Sequence, residues 1–199
     1  MMKIKEQEIH KHGFVRLIDV MGDDNSIADA ARVSYGEGTR SVSDNRNLIR
    51  YLVRHKHTSP LEMVEVKFHL KLPIFVMRQL VRHRTAAINE YSGRYSIMTD
   101  DCYQPSENYI QPQSQFNNQG RDGEMSDGWK TKYKETIRDI THKAVIAYKN
   151  LIGNGSVSHG GLARELARTV LPVSNYTCLL YTSDAADDTP CVDLGGRRI

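Results

Sequence analysis

The sequence predicts an α+β fold: a central, mostly antiparallel sheet flanked by helices in a single domain. Three observations predict it. Helical patterns outnumber strand patterns; the two do not alternate regularly, as they would in a doubly wound α/β chain; and the clearest strand, residues 63–70, alternates strictly, as a half-buried strand does. The 199 residues, 39% hydrophobic and 26% charged, are enough for one domain with a real core.

The elements can be taken in chain order. Residues 14–21 alternate loosely (Val15, Leu17, Val20) and read as a short strand. Asp24-Asn25-Ser26 is a helix-start signal before residues 27–33, and Gly36 and Gly38 break that helix. Ser43-Asp44 can cap a second helix, whose Leu48, Ile49, Leu52 and Val53 share one face. In the best strand, Val64, Val66, Phe68 and Leu70 point one way and Glu65, Lys67 and His69 the other. Pro73 suits the first turn of a helix, where its missing N–H costs nothing. Residues 104–128, rich in Gln, Asn, Gly and Ser, read as a loop or flexible insertion. Ser126-Asp127 opens a long helix with Trp129, Tyr133, Ile137, Ile140, Ala144, Tyr148 and Leu151 at helical spacing, stopped by Gly153-Asn154-Gly155. Residues 161–170 form a last helix.

Composition narrows the function. A formal net charge of +3 suits an anionic ligand and is too weak by itself to argue for nucleic acid. No run of eighteen apolar residues signals a membrane span. The polar start, Met1-Met2-Lys3-Ile4-Lys5-Glu6, is not a signal peptide. Cys102, Cys178 and Cys191 have no metal-ligand spacing and form no disulfide framework, so the reading is cytoplasmic and reduced, with no metal.

Chemistry concentrates in residues 82–96, which hold Arg82, His83, Arg84, Glu90, Ser92 and Arg94. Arg78 and Arg82 stand four apart, on one helical face. Guanidinium forks grip phosphate bidentately and stay charged. Glu90, Ser92 and Arg94 alternate, so an extended segment would aim them together at a second small molecule. A surface basic cluster with a capped turn is the bland alternative. His55 and His57 could form a metal or phosphate site, but no acid or cysteine completes a ligand set; a turn bonded to backbone or ligand is favoured. Arg164 and Arg168 taken alone read as a solvated face. A nucleic-acid-binding module built on residues 82–94 would bind with strong salt dependence, yet it leaves Glu90 and the uncharged neighbours of the cluster unexplained.

These residues resemble a known family. Arg82-His83-Arg84, seven further residues and Ser92 resemble the signature of the flavin-dependent thymidylate synthases. The likeness runs over nearly all of residues 13–177, including Gly13-Phe14-Val15, Ala30-Ala31-Arg32-Val33-Ser34-Tyr35, His57-Thr58-Ser59-Pro60, Pro73-Ile74-Phe75-Val76, Arg78-Gln79, residues 89–96 and Leu171-Pro172. It implies a transferase of nucleotide biosynthesis: reductive methylation of dUMP to dTMP, with methylenetetrahydrofolate as carbon donor, NADPH as reductant and FAD as hydride carrier. It implies FAD contacts from Ser59, Arg82, His83, Arg84 and Glu90, with His57 nearby. It implies dUMP contacts from Gln79, Arg82, Glu90, Tyr91, Ser92, Gly93, Arg94 and Arg168. Ser92 is not expected to act as a nucleophile, having no paired base. The family's homotetramers, with active sites shared between subunits, imply self-association, with no nucleic acid and no membrane as partner.

Two departures stand out. Ala87 occupies a position where many relatives have serine. From Cys178 the chain loses helical and strand periodicity and resembles the conceptual translation of a sequencing-library transposase adapter. The expected organisation is a synthase domain over residues 1–177, incomplete at its C-terminus, and a non-native tail over 178–199. The family places asparagines contacting FAD and a ring-activating arginine beyond Thr177. No catalytic group is therefore identified in this chain, and a catalytically inactive flavin- or nucleotide-binding fragment is the alternative to the full synthase.

Overall fold

The computed structural model describes residues 6–34, 44–153 and 160–186. Tyr35, Gly36, Gly38, Ser43, Asn154, Gly155 and the tail from residue 187, Cys191 included, lie outside the described residues.

A hairpin opens the fold. Strands β1 (Glu6–Ile9) and β2 (Gly13–Met21) pair antiparallel from Glu6↔Arg16 to Ile9↔Gly13. Strand β3 (Glu65–Pro73) pairs with β2, with an irregularity between Leu17 and Asp19 that re-phases the ladder. Strand β4 (Ile88–Glu90) is short, and β5 (Tyr176–Asp184) lies between β3 and β4. The five strands run β1-β2-β3-β5-β4, each pair antiparallel. The expected α+β class holds.

Strand β5 corrects the expectation that regular structure ends at Cys178. Residues Leu179 and Tyr181 are 2% and 5% exposed, while Leu180 between them is 44% exposed. That is strand alternation, carried by aromatic and β-branched neighbours that suit a pleated surface. Leu70, Leu179 and Tyr181 form the core of the sheet, with Met77 and Leu80 packed on it. Burying a leucine such as Leu179 contributes about 1.5–3 kcal/mol.

Helix α1 (Asp24–Val33) starts one residue earlier than the sequence signal: Asp23 is the N-cap, accepting from the backbone of Asn25 and Ser26, and the Ser26 hydroxyl answers the Asp23 N–H. Helix α2 (Asn45–Arg54) is capped by Asp44 as expected. The two helices bury Ile27, Ala28, Ala31, Leu48 and Leu52 against Leu61. Val53, expected on that face, is 44% exposed.

Helix α3 (Ile74–Leu80) follows β3 without a break, with Pro73 as N-cap. The free N–H groups of Ile74 and Phe75 donate to the carbonyls of Asn175 (3.0 Å) and Val173 (2.9 Å), so the chain entering β5 replaces a side-chain cap. Helix α4 (Asp127–Ile152) buries Thr141, Val145 and Tyr148 and ends at Gly153, φ 67°. Its sequence stripe is only partly inside: Trp129, Tyr133 and Ile140 are exposed. The expected last helix is shorter, an α-helical turn α5 (Arg164–Ala167) continuing as a 3-10 turn over Arg168–Val170.

The 104–128 insertion is a loop tied by internal hydrogen bonds. Gln113 Nε2 donates to the carbonyls of Asn117, Asn118 and Gly120, and Ser114 is buried. Among the described residues no helix is long and apolar enough to cross a membrane.

Candidate functional site

The end of β4 and the start of β5 form the site's frame. The Glu90 carboxylate accepts the hydroxyl of buried Thr177 at 2.8 Å. One residue on, the Tyr91 N–H donates to the Cys178 carbonyl at 2.8 Å. The chain then turns: the N–H groups of Tyr95 and Ser96 both donate to the Ser92 carbonyl. This overturns the expectation that Glu90, Ser92 and Arg94 point together from an extended segment, because the strand ends at Glu90 and a turn re-aims Ser92 and Arg94. The Tyr91 hydroxyl donates to the Ile97 carbonyl at 2.8 Å and closes that turn.

Beside the turn lies a pocket of about 140 Å³. It is lined by Ile74, Leu171, Pro172 and Val173, by Glu90, Tyr91 and Gly93, and by Met98 and Arg168. Apolar side chains beside convergent polar groups are a common form of a small-molecule site. Gly93 matters by what it lacks. A Cβ there would meet Met98 Sδ at 2.9 Å and Arg168 Cδ at 3.2 Å, so the glycine lets both side chains close in.

The structure thus brings Glu90, Tyr91, Gly93 and Arg168 together and separates the rest. Ser92 sits in the turn, its Oγ accepting the Arg94 N–H at 3.3 Å. Arg94 pairs with Glu165 at 3.2 Å. The two arginines read as one solvated face divide their work: Arg168 lines the pocket, while Arg164 donates to the Tyr95 carbonyl at 2.5 Å and docks α5 on the turn. Gln79, Arg82 and Arg84 are exposed and His83 half-buried. Arg82 does not share a helical face with Arg78, because α3 stops at Leu80; its N–H donates to the Gln79 carbonyl in a turn beyond the helix. Among the described residues, Arg78, Arg82, Arg84 and Arg168 have no carboxylate within ion-pair distance.

Sheet register sets a second locus at the opposite end of β4. The Thr182 N–H donates to the Ala87 carbonyl and the Ala185 N–H to the Val64 carbonyl. The segment leading into β4, residues 82–87, and the segment before β3 that carries exposed Ser59 therefore approach the same sheet end. Exposed guanidinium groups such as Arg82 and Arg84 are suited to gripping an anionic group. His55 and His57 lie in the segment that follows α2. They stack with Tyr51, at 4.1 Å and 6.1 Å between ring centroids, and His55 Nδ1 lies 2.9 Å from the Tyr51 carbonyl. Among the described residues no three His, Cys, Asp or Glu side chains group to hold a metal.

Residues 16–187 match the family model described as thymidylate synthase complementing protein. The chain belongs to that family. Among its relatives, the flavin-dependent thymidylate synthase of Ruegeria pomeroyi is 49% identical over 166 residues, covering 83% of this chain and 54% of its own length. The protein of the same name from Thermus thermophilus is 48% identical over 172 residues, 86% of this chain and 60% of its own. Among solved structures, the UMP/dUMP methylase PolB from Streptomyces cacaoi bound with 5-Br UMP superposes with a TM-score of 0.75 at 34% identity, over 88% of this chain and 73% of that one. The chain spans less than two thirds of the length of these two curated relatives.

Sequence reasoning missed Met98, Ile74 and Val173 as pocket residues and Thr177 as the partner of Glu90. Thr177 is 2% exposed, and a buried hydroxyl in a strand gives no local sign of where its proton goes.

Proposed function

We propose that this chain carries the nucleotide-binding part of a transferase that reductively methylates dUMP to dTMP, with methylenetetrahydrofolate as carbon donor and NADPH as reductant. The observation that carries the reading is the meeting of Glu90, Tyr91, Gly93 and Arg168 in one pocket of a chain belonging to this family. The names of its relatives, flavin-dependent thymidylate synthases and a UMP/dUMP methylase, support the same substrate and cofactor.

In this reading Arg168 meets the nucleotide phosphate, and Arg94 and Gln79, which lie outside this chain's own pocket, complete the anionic grip where sites are shared between subunits. Glu90 is the acceptor for donors on the base or sugar, held in place by Thr177. Ile74, Leu171 and Pro172 exclude water from one side of the base. Tyr91, Ser92 and Gly93 shape the turn on the other. Ser59, Arg82, His83, Arg84 and Glu90 would hold FAD, which when bound supplies two-electron redox chemistry; the exposed cations without acid partners fit its diphosphate. The assembly would be a homotetramer in the cytoplasm, with sites shared between subunits.

The covered length favours a second reading of the chain by itself. In that reading the synthase domain is residues 1–177, the tail over 178–199 is non-native although its first residues complete β5, and these 199 residues bind nucleotide and flavin without turnover. Three measurements test both readings: dUMP titration of the chain by calorimetry, dTMP formation by the chain and by a version extended to its relatives' length, and resequencing of the source DNA past the codon for Thr177. No dUMP binding sinks the first reading; equal dTMP formation by both proteins sinks the second.

A further inference from the structure

Met98 is held by a residue outside the pocket. Tyr148, on α4, is 1% exposed, and its hydroxyl oxygen accepts the Met98 N–H at 3.0 Å. Met98 is 7% exposed, and its Sδ is the atom nearest to where a Gly93 Cβ would stand, with Arg168 Cδ next. Tyr148 and Met98 share a core cluster with Ala167, the fully buried residue preceding Arg168. A continuous contact path therefore runs from the Tyr148 hydroxyl through Met98 to Gly93 and Arg168. The stretch around Met98 is pinned on both sides: Ile97 by the Tyr91 hydroxyl and Thr99 by Asn175 Nδ2, each at 2.8 Å.

Filling space in this cluster needs only an aromatic ring. A hydroxyl buried there is costly unless bonded, and its partner is a backbone N–H whose side chain backs the pocket. Methionine is a flexible filler with three rotatable bonds, so its position depends on such an anchor.

We propose that Tyr148 is a positioning residue for nucleotide recognition: by fixing Met98, its hydroxyl sets where the Arg168 side chain stands beside Gly93. The proposal rests on reading the pocket as the nucleotide site.

Tyr148→Phe keeps the ring and removes the acceptor. Calorimetric titration with dUMP of the wild-type chain, Y148F, R168A and the double variant provides the test. Y148F weakens dUMP binding about fivefold, the size of one net hydrogen bond, and adds no weakening in the R168A background, since its effect passes through that arginine. A merely structural role would lower Tm and leave dUMP affinity unchanged well below it, or would weaken binding equally in both backgrounds; either result overturns the proposal. Methyl NMR of 13C-labelled methionine gives a readout without nucleotide: the Met98 methyl shows a contact to Gly93 that Y148F abolishes. If the wild type binds no dUMP but Y148F loosens Met98, the nucleotide reading fails and the positioning geometry stands. If the Met98 signal is unchanged, the positioning fails. Should Y148F not fold, M98A leaves the backbone bond intact, and dUMP affinity equal to wild type overturns the proposal.

Discussion

Replacing Gly93 by alanine tests the pocket with a single methyl group. The Cβ would stand 2.9 Å from Met98 Sδ and 3.2 Å from Arg168 Cδ. Ordinary contact needs several tenths of an ångström more at each. The backbone at Gly93 is not in the left-handed region, which Gly22, Gly123, Gly153 and Gly160 occupy. An L side chain is therefore conformationally acceptable, and the cost is one of space. Overpacking costs about 1–3 kcal/mol, and because methionine yields readily the low end applies, about 1 kcal/mol. That lowers Tm by about 2–4 °C for a chain of this size. The effect on ligand is larger. Arg168 must move with Met98, and loss of a charge-assisted bond to phosphate, about 1.5–3 kcal/mol, weakens dUMP at least about tenfold. Scanning calorimetry and dUMP titration on the same preparation read both numbers. A variant that loses many degrees of Tm, or keeps wild-type dUMP affinity, would refute the argument that Gly93 exists to let Met98 and Arg168 approach.

Other expectations rest on single contacts. Thr177→Val keeps the shape of a buried side chain and removes the donor to Glu90; dUMP binding weakens by about fivefold or more, with little change in circular dichroism. Asn175 is fully buried and donates from one nitrogen to the carbonyls of Thr99 and Asp101, at 2.8 and 2.9 Å; Asn175→Ala leaves both without that donor and destabilises by about 2–4 kcal/mol in denaturant titration. The Asp23 carboxyl is held below its ordinary value of 3.8, chiefly by the backbone N–H of Ser26. A carboxylate with a depressed folded pKa stabilises fully above the ordinary value and loses that contribution as pH falls through the depressed one. An acid titration of helicity therefore shows a step below pH 3.8 in the wild type that Asp23→Ala lacks.

Much of this fold can be read from local chemistry. The alternation of Val66, Phe68 and Leu70 marks β3, Asp44 marks the start of α2, and Gly153 marks the end of α4, because each signal lies within a few residues of the feature it specifies. Local reading fails where partners are distant. Arg82 has helical spacing from Arg78, but α3 ends at Leu80 and the chain turns toward β4. Leu179 and Tyr181 give too short a period to stand out, and their burial depends on the waiting edges of β3 and β4. The pocket divides the same way. Glu90, Tyr91, Gly93 and Arg168 are named from the wider family resemblance, whereas Met98 and Tyr148 are joined by a contact across fifty positions of sequence.

The place of β5 has a consequence for how the molecule is made. Strand β5 comes after the other four in sequence yet separates β3 from β4 in the sheet. While a ribosome is still producing it, β3 has one ladder unsatisfied and β4 has none formed. Such bare edges are templates for pairing with another chain, and closing them requires contacts between distant positions, which form slowly. The pocket waits on the same event, since Thr177 and Cys178 supply the bonds that set Glu90 and Tyr91. Nascent chains of this protein should therefore be most prone to aggregate shortly before they acquire the ability to recognise a ligand; slowing synthesis across that interval should lower the soluble yield, and lowering temperature, which weakens apolar association, should raise it.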